Sequence, residues 1–175
     1  MAKLRKMLGK IDSPECMAMM RQIETQSKKT LAVWALLYAK NRYLPICKEQ
    51  TSVGTRMAEM IQYCEDCLEG KITQKECKVF LKEAAQLARD AVENPAGQAA
   101  ARAIAVACAV MQTPTNSLGF LFYGAAAVAY SQAGISAECQ VYDEIATQEF
   151  IEALESLKKL SVKDEQNPVK INWNC

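Results

Sequence analysis

The sequence predicts an all-α protein, either a single-domain bundle or a short right-handed stack of about six to eight antiparallel helices. Alanine, the strongest helix former, supplies 26 of the 175 residues, nearly as many as valine, isoleucine and threonine together with 28. Apolar residues recur at three- and four-residue intervals, and helix-capping residues separate these segments. We expect helices within residues 1–160 and an extended tail over residues 161–175.

The first part of the chain predicts three helices. Residues 4–11 carry apolar side chains at helical spacing, which favours a short amphipathic helix. Ser13-Pro14-Glu15 combines an N-cap, a first-turn proline and an acid, so a second helix is expected to begin there. A third helix covers residues 30–44 and is expected to end or kink at Pro45, which lacks an amide proton. A loop is predicted around residues 49–54.

The remaining helices are marked by their own start signals. Residues 55–68 place methionine, isoleucine, cysteine and leucine on one face. Thr73-x-x-Glu76 is a capping box, and Asn94-Pro95 is an N-cap followed by a first-turn proline. A further helix is predicted over residues 115–132, and Ser136 is predicted to cap the last one, which continues to residue 160.

The charge and composition exclude several classes of function. Lysine and arginine number 21 against 20 aspartates and glutamates, and a net charge of +1 argues against a nucleic-acid-binding protein. The chain has no histidine, so it lacks histidine-based acid–base catalysis and histidine metal ligands. No P-loop, G-x-G-x-x-G, nucleophile-elbow or H-E-x-x-H motif occurs. The sequence therefore shows none of these catalytic or cofactor-binding motifs, and we expect no cofactor.

A long segment, residues 94–137, contains Arg102 as its only charged residue. Pro114 and several amides interrupt it before it reaches the length of a membrane span, so we expect two close-packed core helices. A buried guanidinium needs a carboxylate, which Asp90 or Glu93 could supply. The alternative is an anion-binding site at the bundle centre that joins Arg102 to Gln112 and Asn116.

Cysteines occur at eight positions: 16, 47, 64, 67, 77, 108, 139 and 175. Cys64-x-x-Cys67 invites a comparison with zinc and redox motifs, but there is no second pair and no histidine. Both residues also lie late in a predicted helix rather than at its start. We therefore expect buried apolar cysteines and no metal site, with the final residue, Cys175, exposed.

The last helix is rich in acidic residues: Glu138, Asp143, Glu144, Glu149, Glu152 and Glu155. Such a run is typical of a solvent-exposed helix face. It can also serve as a docking surface for a basic partner, with Asp143, Glu144, Glu152 and Glu155 as the candidate contacts.

Several strings resemble a known bacterial family. They are Thr30-Leu-Ala-Val-Trp-Ala, Tyr43-Leu-Pro45, Glu69-Gly-Lys-Ile72, Ala88-Arg-Asp-Ala91, Ala99-Ala-Ala-Arg-Ala103, Pro114-Thr-Asn-Ser-Leu-Gly119 and Tyr123-Gly-Ala-Ala. Their order and spacing over residues 28–134 are similar to the putative immunity protein family numbered five among those of polymorphic toxin systems.

The resemblance implies a small cytoplasmic helical protein that binds and neutralises a toxin without catalysis. The basic start of the chain, which lacks a long apolar stretch, also favours the cytoplasm. Family members tend to carry histidines at the positions of Gln112 and Asn116, so here a hydrogen-bonding role replaces any metal-binding one. The alternatives are a small-molecule or metal-binding domain that uses Arg102, Gln112 and Asn116, and a ligand-free protein that forms homo-oligomers.

Overall fold

The computed structural model describes residues 3–174 and is all-helical, which confirms the predicted fold class. Within those residues it contains eight α-helices, one short 3-10 helix and no strand. The α-helices are α1 Pro14–Ile23, α2 Lys28–Arg42, α3 Leu44–Gln50, α4 Gly54–Leu68, α5 Gln74–Asp90, α6 Pro95–Cys108, α7 Asn116–Ala133 and α8 Cys139–Leu160. The 3-10 helix is Ala109–Met111.

Three of the predicted start signals form the expected caps. The Ser13 hydroxyl accepts a hydrogen bond from the backbone N–H of Cys16 at the start of α1. Thr73 and Glu76 form the reciprocal capping box of α5. The Asn94 side chain accepts from the N–H of Gly97 and so caps α6, which begins at Pro95. These contacts satisfy amide protons that have no partner within the helix.

The predicted first helix over residues 4–11 is wrong, because residues 3–13 contain no α-helix. Leu8 is buried in the core instead, and its N–H donates to the carbonyl of Phe122 on α7 at 3.0 Å. Gly9 follows with a φ of +111°, which turns the backbone away from helical geometry. The apolar residues of this segment serve tertiary packing.

The prediction that Pro45 ends or kinks the third helix is confirmed, because α2 ends at Arg42 and Pro45 lies in the first turn of a separate helix, α3, where a missing amide proton has no cost. The predicted loop around residues 49–54 is shorter than expected, because α3 continues to Gln50 and α4 begins at Gly54. One other boundary differs from the prediction. The last helix starts at Cys139 with Glu138 as its N-cap, rather than at Ser136.

The charge-poor segment forms the centre of the protein, as predicted. Helices α6 and α7 pack extensively against each other, and most of their alanines are buried. Small side chains allow the two backbones to approach closely. Among residues 3–174, no helix combines the length and apolarity that crossing a bilayer requires.

The segment after α8 is extended and runs along the end of α1. The N–H of Val169 donates to the carbonyl of Gln26 at 2.9 Å, and the indole N–H of Trp173 donates to Glu24 at 3.0 Å. Val169, Ile171 and Trp173 also pack against the core. Residues 161–174 are therefore part of the folded body.

Candidate functional site

The contact between α2 and α8 contains a buried carboxylate, Glu149, whose side chain is 0% exposed. One oxygen, Oε1, accepts from the hydroxyls of Tyr38 at 2.8 Å and Tyr43 at 2.9 Å. The other, Oε2, accepts from Nε of Arg42 at 3.0 Å and from Nη2 at 2.9 Å. Arg42 also reaches Glu152 at 3.2 Å. Four donors therefore hold one carboxylate, which satisfies its need for compensation in the core.

The charges at this cluster stabilise one another. Burial by itself would lower the pKa of Arg42, but the hydrogen bonds and charge of Glu149 raise it overall. Burial raises the pKa of Tyr38 and Tyr43, and the negative charge of Glu149 raises both further. Both phenols therefore remain protonated hydrogen-bond donors to Glu149.

Alkaline pH is expected to weaken the fold through these phenols. Because folding raises their pKa, the stabilisation is complete below the unfolded-state pKa of about 10 and is lost as the pH rises above it. Each phenol can contribute a slope of up to about 1.4 kcal/mol per pH unit. Urea unfolding at a series of alkaline pH values should show a steeper loss for the wild type than for the Tyr38→Phe, Tyr43→Phe double variant. Equal slopes would contradict the assignment.

Aromatic packing fixes the position of the cluster. Tyr43 packs edge-on against Tyr38 and Phe120, with ring centroids 5.6 and 6.1 Å apart. Its ring lies directly over the backbone of Gly124 on α7. Trp34, one turn before Tyr38, donates from its indole N–H to the hydroxyl of Ser156 on α8 at 2.8 Å. Trp34, Tyr43 and Gly124 all come from the strings that resemble the immunity family, so the structure gathers them around one cluster.

An open groove of about 640 Å³ lies above this cluster, between α2 and α8. We call it the α2–α8 groove. Leu37, Ile151 and Leu160 supply apolar surface, and they are 42%, 43% and 40% exposed. Glu152 and Glu155 also line the groove. An exposed apolar surface bordered by charges is typical of protein-binding sites.

Of the four predicted acidic contacts, three line two adjoining cavities that share Glu152, whereas Asp143 stands apart. Glu152 and Glu155 line the α2–α8 groove, and Glu144 lines a smaller cavity of about 260 Å³ that also contains Arg42. Asp143 instead forms an ion pair with Arg5 at 2.7 Å. Glu144, Glu152 and Glu155 are exposed, whereas Asp143 is only half-exposed.

The structure does not assemble the predicted polar core site of Asp90, Arg102, Gln112 and Asn116. Asp90 is exposed and accepts from Gln86, and Gln112 is exposed. Asn116, the first residue of α7, donates to the carbonyl of Ala109 in the 3-10 helix that precedes it. Arg102 lies ten residues before Gln112, about 15 Å along a helix.

The predicted ion pair of Arg102 is wrong for either carboxylate. Among residues 3–174, no carboxylate lies within 4.0 Å of its guanidinium. Glu93 accepts from Ser52 instead. Arg102 is half-buried, so it needs no buried partner and reaches solvent.

Most cysteines are buried and free, as predicted. The buried ones are Cys16, Cys47, Cys64, Cys67, Cys77 and Cys108, whereas Cys139 is exposed. Contact with Cys108 and burial raise the pKa of the Cys64 thiol, and burial raises that of Cys77. Within residues 3–174, no group of three or more acidic or cysteine side chains is arranged to hold a metal ion. Cys175, predicted to be exposed, lies outside the described residues.

Glu149 belongs to the acidic run that was predicted to face solvent, but it is buried and is the central residue of the cluster. A signal was present in its spacing. Glu149 lies seven residues after Tyr142 and four before Ala153, and both of these are buried. Positions seven and four apart share a helix face, which places Glu149 on the inner stripe of α8.

The chain belongs to the Imm-5 like putative immunity protein family. The family model for the Imm-5 like putative immunity protein matches residues 21–156, which includes α2, α8 up to Ser156 and the whole Glu149 cluster. Comparisons with curated proteins and with solved structures give no match.

Proposed function

We propose that this protein binds a cognate protein toxin and neutralises it by covering part of the toxin surface, without catalysing a reaction. Membership of the immunity family over residues 21–156 carries this proposal. The Glu149 carboxylate fits a supporting role, because all its hydrogen bonds are made within the protein. Six buried free cysteines favour the reducing cytoplasm as the compartment.

We further propose that the α2–α8 groove is the toxin-binding surface. Its exposed leucines and isoleucine can accept an apolar anchor, and such anchors supply most of the energy of protein interfaces. The ion pair of Arg42 with Glu149 and the bond of Trp34 to Ser156 hold the two helices together beneath it. A preformed surface loses little conformational entropy on binding. The expected toxin segment carries an aliphatic or aromatic side chain next to lysine or arginine, which would pair with Glu155, 61% exposed, since Glu152 is already paired with Arg42.

A charge introduced into the groove should prevent binding. We expect Leu37→Glu to weaken the affinity for the toxin by at least about tenfold, because a carboxylate would replace an apolar contact. The matched control is Val33→Glu, one turn earlier on α2, which is 44% exposed and does not line the groove. The control should bind within about twofold of the wild type. Calorimetry with the toxin from the neighbouring gene, and rescue of growth in cells that express it, provide the two measurements.

The two outcomes that contradict these proposals are separate. If wild-type protein neither binds that toxin nor restores growth, the immunity function is wrong. If Leu37→Glu and Val33→Glu both bind as tightly as the wild type, the function stands and the groove is not the interface.

The exposed acids should act mainly on the rate of association. We expect the double variant Glu144→Lys, Glu155→Lys to melt near the wild-type temperature, because both side chains are exposed. Its association rate with a basic toxin should fall at low salt and approach the wild-type rate at high salt, because salt screens steering. Stopped-flow mixing measures this. An unchanged rate at low salt would remove the acidic residues from the mechanism.

A further inference from the structure

Another cavity, of about 480 Å³, lies between the N-terminal segment and the first half of α6. Four cationic side chains line it, Lys3, Arg5, Lys6 and Arg102, and no carboxylate does. We call it the basic cavity. The protein as a whole is nearly neutral, so this arrangement is a local concentration of positive charge.

The cations of the basic cavity differ in how they are compensated. Arg5 is engaged by Asp143 at 2.7 Å. Lys3, Lys6 and Arg102 have no carboxylate within 4.0 Å among residues 3–174. Three positive charges therefore remain without a partner around one cavity.

Arg102 is exceptional among the arginines of this chain. Three arginines are half-buried: Arg42, Arg56 and Arg102. Arg42 pairs with two glutamates and so does Arg56. The Arg102 side chain makes no hydrogen bond or ion pair with residues 3–174, and none of its guanidinium nitrogens is a buried atom without a partner, so solvent reaches them. Its donors are available to a ligand in the cavity.

The walls of the basic cavity are fixed by the fold. The Tyr130 hydroxyl donates to the carbonyl of Arg5 at 2.6 Å, and Leu8 is anchored in the core. Tyr130 and the Leu8 partner Phe122 both belong to α7, so these contacts hold the N-terminal segment against α7, beside the start of α6. Pro95, the first residue of α6, also lines the cavity, so the positive end of that helix lies at the same place.

We propose that the basic cavity binds a small polyphosphate anion, such as the triphosphate of a nucleotide or free inorganic triphosphate. Three uncompensated charges match a ligand with several negative charges better than a single carboxylate. A guanidinium forms paired hydrogen bonds with phosphate oxygens, and the ammonium groups of Lys3 and Lys6 add charge. Leu4 and Val92 give the cavity an apolar wall on which a nucleoside could rest. This site is separate from the α2–α8 groove and does not depend on the immunity function.

Calorimetric titration of the full chain at low salt tests the site, with sodium triphosphate and with ATP as probes. We expect both to bind, and Arg102→Gln to weaken binding by at least about tenfold. The double variant Lys3→Gln, Lys6→Gln should lose a similar amount. Arg21→Gln and the double variant Lys28→Gln, Lys29→Gln are matched controls, because these exposed cations do not line the cavity, and they should bind within about twofold of the wild type.

Several outcomes distinguish the ligand sources and test the proposal. Tighter binding of ATP than of triphosphate would assign the site to nucleotides, and equal binding would assign it to the phosphate chain alone. Citrate, which offers three carboxylates, should bind more weakly than triphosphate. Absence of binding by both probes would overturn the proposal, as would equal losses in the site and control variants or citrate binding as tightly as triphosphate. Circular dichroism of Arg102→Gln should show a wild-type melting curve, so a loss of binding is not a loss of fold.

Discussion

Glu149→Ala is expected to destabilise the protein by about 3–5 kcal/mol, more than any other single carboxylate substitution proposed here. The change removes the one acceptor shared by Tyr38, Tyr43 and Arg42. The Tyr43 hydroxyl would then lie in the core without a partner, the half-buried Tyr38 would lose its acceptor, and the Arg42 guanidinium would lose its buried counter-charge. Urea unfolding followed by circular dichroism measures the free energy of unfolding.

Two control variants separate the burial of Glu149 from its charge. Glu152 is a partner of the same arginine but its side chain is 46% exposed, so Glu152→Ala should cost at most about 1 kcal/mol. Glu149→Gln keeps an oxygen acceptor for the two phenols and loses the charge, so its cost should lie between the other two. If Glu149→Ala costs no more than Glu152→Ala, the cluster does not hold α2 against α8 as described.

The parts of the fold that the sequence predicted depend on interactions between residues close together in the chain. A capping box such as Thr73 with Glu76 needs only residues three apart, and the structure contains it. The same holds for Asn94-Pro95 at the start of α6. Residues 4–11 had equally good helical spacing and are not helical, because Leu8 makes its backbone hydrogen bond to α7, far away in sequence. Tertiary contact outweighs a local preference in so short a segment.

The candidate site depends on contacts between residues that are far apart in the sequence, and no short sequence motif predicts such contacts. Tyr38 and Glu149 are 111 residues apart, and only the packing of α2 on α8 brings them together. The predicted polar core site of Asp90, Arg102, Gln112 and Asn116 is not assembled, because tertiary packing rather than sequence distance decides which side chains meet. Arg102 and Asp90 are close in sequence, but the turn between α5 and α6 leaves Asp90 exposed beside Gln86. The segments that resemble the immunity family lie nearer to the site, because Tyr43 bonds Glu149, Gly124 lies against Tyr43, and Trp34 joins α2 to α8 through Ser156.

Gly124→Ala is the second substitution with a large expected effect. A β-carbon at this position would overlap both the ring and the hydroxyl of Tyr43. The ring cannot move aside freely, because it packs against Tyr38 and Phe120 and its hydroxyl is bonded to Glu149. Overpacking of this kind costs about 3 kcal/mol at the upper end of its usual range, and the better helix propensity of alanine offsets about 1 kcal/mol. We expect a net loss of about 2 kcal/mol in the free energy of unfolding.

Gly119 provides a matched control on the same helix, α7. A β-carbon there would meet only Val106 at 3.8 Å and Asn116 at 3.9 Å, which are ordinary contacts. Gly119→Ala should therefore stabilise the protein, by up to about 1 kcal/mol, because alanine is the better helix former. The same chemical change thus has opposite signs at two positions five residues apart, and urea unfolding of the two variants measures both. If Gly124→Ala also stabilises the protein, Tyr43 does not lie against α7, and the support for Glu149 beneath the α2–α8 groove is wrong.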